Sequence, residues 1–301
     1  MTLTLFFSLV AALFLNTIAL GSDMKIPERP EVESLYNMSA GGDCAELKEG
    51  EFEKAQELFA RTLRGETGTE IVSAWSALGF NLIHAHSDDS NFLVLMEKKN
   101  EKRGRGFYLF RDITEKKRCL IMPHRFTDEA TGKIGLNMFL EGKFPAAAWN
   151  TARRYPKGEP TNMTCDLARL PRTYLTAFTK ALAETLPDAY QIQIHGFQTG
   201  KRRSQAGESA DIIISAGDDK PRSELLELRK CLTDGHFGKV RVYPVDINEL
   251  GATENISGQL LRNIGRKTFV HIEISHELRQ QFKVNQNLRK IFMKCLDGTL
   301  R

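Results

Sequence analysis

Several features that announce a function are missing from this 301-residue chain. None of its five cysteines (Cys44, Cys119, Cys165, Cys231 and Cys295) forms a Cys-x-x-Cys pair, which argues against a thiolate zinc site. No Gly-x-Ser-x-Gly elbow occurs, so a serine hydrolase built on Ser215 or Ser275 has no support from the expected strand-to-helix turn. Charge of one sign is scarce: 42 basic against 38 acidic residues leave a formal +4, too weak to argue for nucleic acid. Lys102, Arg103 and Arg105 cluster, as do Lys201, Arg202 and Arg203, but neither group is interleaved with aromatics as a stacking platform would be. They read as solvated loop charges. There is no internal repeat, and no linker-like stretch divides the chain.

The first twenty residues contain no charge and are mostly apolar. Ala19 and Gly21 supply the small residues of a cleavage site after Gly21, so residues 1–21 read as a secretory signal peptide or, left uncut, as an amino-terminal anchor. A basic n-region is absent, and no cysteine follows the run to accept a lipid. Either reading places the rest outside the cytoplasm, periplasmic or secreted. There the cysteines would form two disulfides and leave one thiol, with pairing that spacing does not decide. Residues 22–301 are expected to be one domain, with residues 50–112 as its amino-terminal extension and residues 22–50 as a lead-in over the surface.

Phe52, Ala55, Leu58, Phe59 and Leu63 recur at helical spacing and predict a helix over 51–63. A second is expected over 70–78, stopped by Gly79. Residues 92–97 and 106–111 read as a hairpin, and 118–122 as a strand that Pro123 terminates. Helices are expected over 144–155, 170–186, 223–232, 258–264 and 277–296, with strands over 190–195, 210–215, 240–245 and 268–274. Such alternation predicts an α/β fold, a mixed but mainly parallel central sheet with helices on both faces.

Three of these strands carry the chemistry. His124 stands just past the strand 118–122, with Asp128 and Glu129 a few residues on, and His195 ends the apolar run 190–195. In open α/β sheets ligands bind where strands end. Two histidines and one carboxylate suit a catalytic zinc, with Glu129 as the third ligand and Asp128 as its alternate. In 268–275, Phe269, His271, Glu273 and Ser275 share one face, while Val270, Ile272 and Ile274 share the other. A carboxylate inside such a run is costly unless it is paired or functional. Beside an activated water, Glu273 can take a proton and return it to a leaving nitrogen. His84, His86, Asp88 and Asp89 form a second polar cluster, read as ordinary surface polarity on a loop.

The order Pro123-His124, Glu129, Arg, His195-Gly196 and a late-strand Glu273 resembles the zinc carboxypeptidase superfamily, and within it the poly-γ-glutamate hydrolases and N-formylglutamate amidohydrolases. The resemblance spans residues 107–282 and implies a carboxypeptidase-like, phosphorylase/hydrolase-like fold holding one Zn²⁺ per chain. It also implies hydrolysis of an amide bond in a γ-glutamyl or cell-wall-type peptide or an N-acyl amino acid. Asp166, Leu167, Ala168 and Arg169 stand where those relatives carry Asp-Leu-Asn-Arg; Ala168 in place of Asn departs from exopeptidase recognition. By the same analogy Arg169, Arg172, Arg153 or Arg154 would meet an acidic substrate or a developing oxyanion, with Arg169 and Arg172 preferred. The expected partner is a peptide-like or acidic polymer, with neither nucleic acid nor any membrane beyond the amino-terminal anchor. The rival from another class is an exported binding protein that keeps the fold without catalysis.

Overall fold

Phe52, Ala55, Leu58, Phe59 and Leu63 are all buried on one side of a helix that runs over the expected residues, Glu51–Leu63. The computed structural model describes residues 30–44, 46–88, 90–112, 117–155 and 165–301, so the apolar segment 1–21 lies outside the described residues. The strands are β1 (Phe80–Ser87), β2 (Ser90–Glu97), β3 (Phe107–Phe110), β4 (Arg118–Met122), β5 (Ala146–Trp149), β6 (Tyr190–Phe197), β7 (Ile212–Ser215), β8 (Val240–Val242) and β9 (Phe269–Ser275). The helices are α1 (Val32–Met38), α2 (Glu51–Leu63), α3 (Thr69–Ala77), α4 (Thr131–Glu141), α5 (Tyr174–Thr185), α6 (Gln205–Glu208), α7 (Ser223–Asp234), α8 (Ile256–Asn263), α9 (His276–Val284) and α10 (Gln286–Thr299).

One sheet joins all nine strands in the order β1-β2-β3-β5-β4-β6-β9-β7-β8. The expected mainly parallel arrangement is corrected. Four pairings are parallel (β4 with β5 and β6, β6 with β9, β7 with β8) and four antiparallel (β1–β2, β2–β3, β3–β5, β7–β9). At the β1–β2 edge a short link makes the difference. Ser87 pairs with Ser90 across the β1–β2 turn, and so short a connection can only return the chain antiparallel.

Alternation along the central strands feeds two cores. Ile192, Ile194, Val270, Ile272 and Ile274 face one with Leu278, Phe282 and Phe292 of α9 and α10. Ile121, Cys119 and Ala148 face the other with Phe59 of α2 and Phe178 of α5. Each fully buried isoleucine contributes about 1.5–3 kcal/mol, so the register of β6 against β9 is strongly set. That register leaves Gln191, Gln193 and His195 on the same face of the sheet as His271 and Glu273.

Three local expectations fail. Residues 144–155 are not helical: Ala146–Trp149 is a strand buried throughout and paired on both sides, where pairing overrides alanine's helix preference. Residues 80–87, read in part as a loop, form β1, and the final helix breaks in two at Asn285, whose side chain caps α10. Gly79 takes a left-handed φ of 81°, the stop expected of it after α3.

Candidate metal centre and cleft

β6 and β9 run parallel with His195 directly opposite Glu273 and Gln193 opposite His271. β4 lies on the other side of β6 and releases the chain at Pro123, so His124 arrives beside His195, their ring centroids 4.9 Å apart. Beyond His124 the chain makes a helical turn in which the Asp128 N–H donates to the His124 carbonyl at 2.9 Å. Residues four apart on such a turn share a side, whereas the fifth rotates away. Asp128 therefore faces the histidines, and Glu129 does not. The Glu129 side chain is 67% exposed and lies 3.6 Å from His276.

One Asp128 oxygen, Oδ2, lies 3.5 Å from His124 Nδ1 and 3.3 Å from His195 Nδ1, and it accepts a hydrogen bond from the Gly196 N–H at 3.2 Å. Ligands held at 2.0–2.1 Å in tetrahedral array would sit about 3.4 Å apart. The distal nitrogens are engaged elsewhere: His124 Nε2 meets Asp166 Oδ1 at 2.8 Å, and His195 Nε2 meets Gln193 Oε1 at 3.3 Å. Metal-binding histidines are held this way by an acceptor on the far nitrogen. Gly196 is needed for packing, since a Cβ there would stand 2.1 Å from the Arg279 guanidinium. Arg279 in turn donates to the carbonyls of Glu129, Phe197 and Ile274.

His271, which the strand alternation sets on the face of Glu273 without assigning it a role, joins this group. Its ring centroid is 4.5 Å from that of His195, and its Nε2 is 3.6 Å from Glu273 Oε1. His271 Nδ1 and Glu273 Oε2 are buried with no hydrogen-bond partner among the described residues. His124, Asp128 and His195 form one metal-capable trio, and His195, His271 and Glu273 a second. Orphaned buried donors and acceptors, together with a nitrogen and oxygen ligand set, fit a divalent ion such as zinc.

Electrostatics separate the groups. Burial disfavours the charged form of Asp128, yet its contacts with His124 and His195 outweigh this and hold its carboxyl well below the usual range. His124 is likewise penalised by burial but raised on balance by Asp128 and Asp166. Burial lowers His195, and lowers His271 strongly. Glu273 is pushed up to about 8 by burial and then by the nearby negative charge of Asp128.

These groups line a cleft of about 580 Å³ at the carboxyl ends of β4, β6 and β9, with Arg154, Arg169, Lys201 and Arg202 around it. Arg154 bonds Asp166 at 2.5 Å, while Arg169 reaches Asp166 and Glu254. Arg172 is not among the cleft residues; it pairs with Glu53 on the outside of α2 and stacks on Phe52. The sequence signal for His271 is its place on the Glu273 face of β9, and that for Gln193 is its alternation with Ile192 and Ile194. Asp166 and Asn255 come from loops; Asp166 is marked only by the Asp166-Leu167-Ala168-Arg169 match, and Asn255 carries no comparable signal.

No family model matches the chain, and no curated protein matches it. Solved structures to which the chain is similar include the following three. An aspartoacylase family protein from Mesorhizobium loti is 14% identical, covering 74% of this chain and 68% of that one with a TM-score of 0.39. A bacteriophage poly-γ-glutamate hydrolase is 11% identical, covering 66% and 90%, with a TM-score of 0.33. Gene product Atu2144 from Agrobacterium tumefaciens is 14% identical, covering 61% and 92%, with a TM-score of 0.37.

Two disulfides, Cys44–Cys165 and Cys231–Cys295, leave Cys119 free and buried. No helix among the described residues is long and apolar enough to cross a membrane.

Proposed function

We propose that this protein is a zinc-dependent hydrolase of amide bonds, with one ion per chain held by His124, Asp128 and His195 and with Glu273 as the proton carrier. The observation that carries this reading is the meeting of two imidazole Nδ1 atoms at one Asp128 oxygen, at 3.5 and 3.3 Å, beside a buried glutamic acid in a cleft. When bound, zinc supplies Lewis acidity, polarising a carbonyl and lowering the pKa of water towards about 7.

The chain's own groups supply the rest. Glu273 has its proton affinity near neutrality, so it can accept a proton from the attacking water and return it to the departing nitrogen. His271, neutral and 3.6 Å away, limits the directions in which that carboxyl turns. Asp166 orients His124 and is itself gripped by Arg154. Arg169, on the cleft wall, offers a guanidinium to the anionic part of a substrate, a role that the outward Arg172 does not share. A substrate with carboxylates beside its amide suits this wall: a γ-glutamyl or cell-wall-type peptide, or an N-acyl amino acid. Export of the protein is part of the proposal, since disulfides persist in oxidising compartments.

The purified protein is expected to contain one zinc per chain and to release amine groups from poly-γ-glutamate, peptidoglycan fragments or N-acyl amino acids, with activity abolished by EDTA. Stoichiometric metal without release from any of the three would favour the non-catalytic binding protein; absence of metal binding would refute the reading.

A further inference from the structure

His195 meets the candidate ion site through Nδ1, and a metal can bind there only if that nitrogen carries a lone pair rather than a proton. A directed chain of contacts stands behind the other ring nitrogen, Nε2. α8 begins just after Asn255, whose Oδ1 accepts from the backbone N–H groups of Ser257 and Gly258 at 3.0 and 3.3 Å. Those donors cannot be reversed, so the other end of the amide, Nδ2, is the one that faces Gln193, at 2.7 Å from its Oε1. The same Gln193 Oε1 lies 3.3 Å from His195 Nε2. Gln193 Oε1 can only accept, which calls for hydrogen on His195 Nε2 and leaves the Nδ1 lone pair for an ion; in the metal-free ring Asp128 Oδ2, 3.3 Å from Nδ1, is the acceptor that competes for the same proton. Rotating either amide would set donor against donor, at α8 or between Asn255 and Gln193.

We infer that Gln193 and Asn255 are positioning residues that fix the proton of His195 on Nε2 and so present its Nδ1 to a metal. This deepens the zinc reading above and rests on it. A second observation supports it. Gln193 is fully buried between Ile192 and Ile194, and its Nε2 has no partner among the described residues. An idle buried donor destabilises a fold that an apolar side chain would serve better, so the amide is present for what its oxygen does. The helix supplies the reference direction, because backbone N–H groups at its first turn point one way only.

The test uses the full chain labelled with ¹⁵N-histidine, reading proton occupancy of each His195 nitrogen by two-bond ¹H–¹⁵N correlation in the metal-free protein. Zinc affinity is measured alongside by chelator competition. Asn255→Asp keeps the helix cap, for which Asp serves as well as Asn, but offers Gln193 no donor. Gln193 then turns its idle Nε2 towards the new carboxylate and His195, leaving His195 Nε2 bare and its proton on Nδ1. Zinc affinity is expected to fall about 10–100-fold, the usual effect of losing an outer hydrogen bond to a metal ligand. Gln193→Glu accepts from both neighbours and is expected to keep hydrogen on Nε2. A bare Nε2 in the wild type, or Asn255→Asp with Nε2 occupancy and affinity unchanged, overturns the inference. A wild type with hydrogen on Nε2 that binds no zinc would refute the metal reading and leave the proton assignment standing.

Discussion

Asp128 and Glu129 are chemically alike and adjacent, yet one turn of backbone decides which is available. The His124–Asp128 backbone hydrogen bond at 2.9 Å makes that turn helical, and a four-residue step is the one that returns to the same side. Asp128→Ala is therefore expected to weaken zinc binding by at least about 100-fold, beyond what loss of an outer partner causes, while Glu129→Ala stays within about twofold. Chelator competition separates them, and the opposite order would contradict the assignment. Glu273 makes a different claim. Glu273→Gln is expected to keep zinc and lose about 10²–10⁴ in turnover, the range set by a proton carrier. His195→Ala loses both metal and activity, and normal turnover by the Gln variant would defeat the role given to Glu273. His124, His195 and Glu273 were legible in the sequence because each marks the end or interior of an apolar strand. The choice between Glu129 and its alternate Asp128 is not legible in the sequence, since it depends on the helical turn that the backbone makes after His124. Asp166 is legible as part of the Asp166-Leu167-Ala168-Arg169 match but not as the partner of His124, and Asn255 not at all, because both approach from loops, where only tertiary contact creates a partner.

At the scale of elements, an ionic cluster outside the cleft ties α2 to α5 and β2. Glu51, at the start of α2, receives Arg103, Arg105 and the Tyr174 hydroxyl of α5, while Arg105 also bonds Glu97 at the end of β2. Burial works against the Glu51 carboxylate, but these donors and the Lys48 N–H outweigh it and leave its pKa below the ordinary value. A depressed carboxyl stabilises the fold above its unfolded pKa of about 4.3 and loses that contribution as pH falls through the lower folded value. Glu51→Gln is expected to cost about 1–3 kcal/mol at pH 7, with the gap to wild type closing below about pH 4. Urea unfolding at pH 7 and pH 3.5 checks this; a gap that widens on acidification would contradict it. Elements with strong periodicity, such as α2, β4, β6 and β9, were readable from the chain. β5 was not, because four buried residues rich in alanine have the composition of a helix and become a strand only through their two neighbours. In the antiparallel half of the sheet the 92–97 and 106–111 hairpin is readable and appears as β2–β3, whereas β1 is not, because it mixes histidine and asparagine with apolar residues at a half-exposed edge.

Across the whole molecule, two disulfides flank the working parts. Cys44–Cys165 ties the amino-terminal lead-in to the residue before Asp166, which orients His124, and Cys231–Cys295 joins α7 to α10 under the opposite core. The cleft opens at the carboxyl ends of the parallel strands, where backbone leaves the sheet and side chains converge. The alternation of strands and helices anticipates a mixed α/β sheet with helices on both faces, but not the even division between parallel and antiparallel pairs, because pairing direction depends on the connections between strands. The most direct test of the central claim is anomalous diffraction at the zinc absorption edge from crystals of the zinc-loaded protein. The expected result is one peak per chain within about 2.0–2.2 Å of His124 Nδ1, His195 Nδ1 and an Asp128 oxygen, with Glu273 beside it and unligated. A peak bound by His271 and Glu273 without His124, or no peak in the cleft, would contradict it.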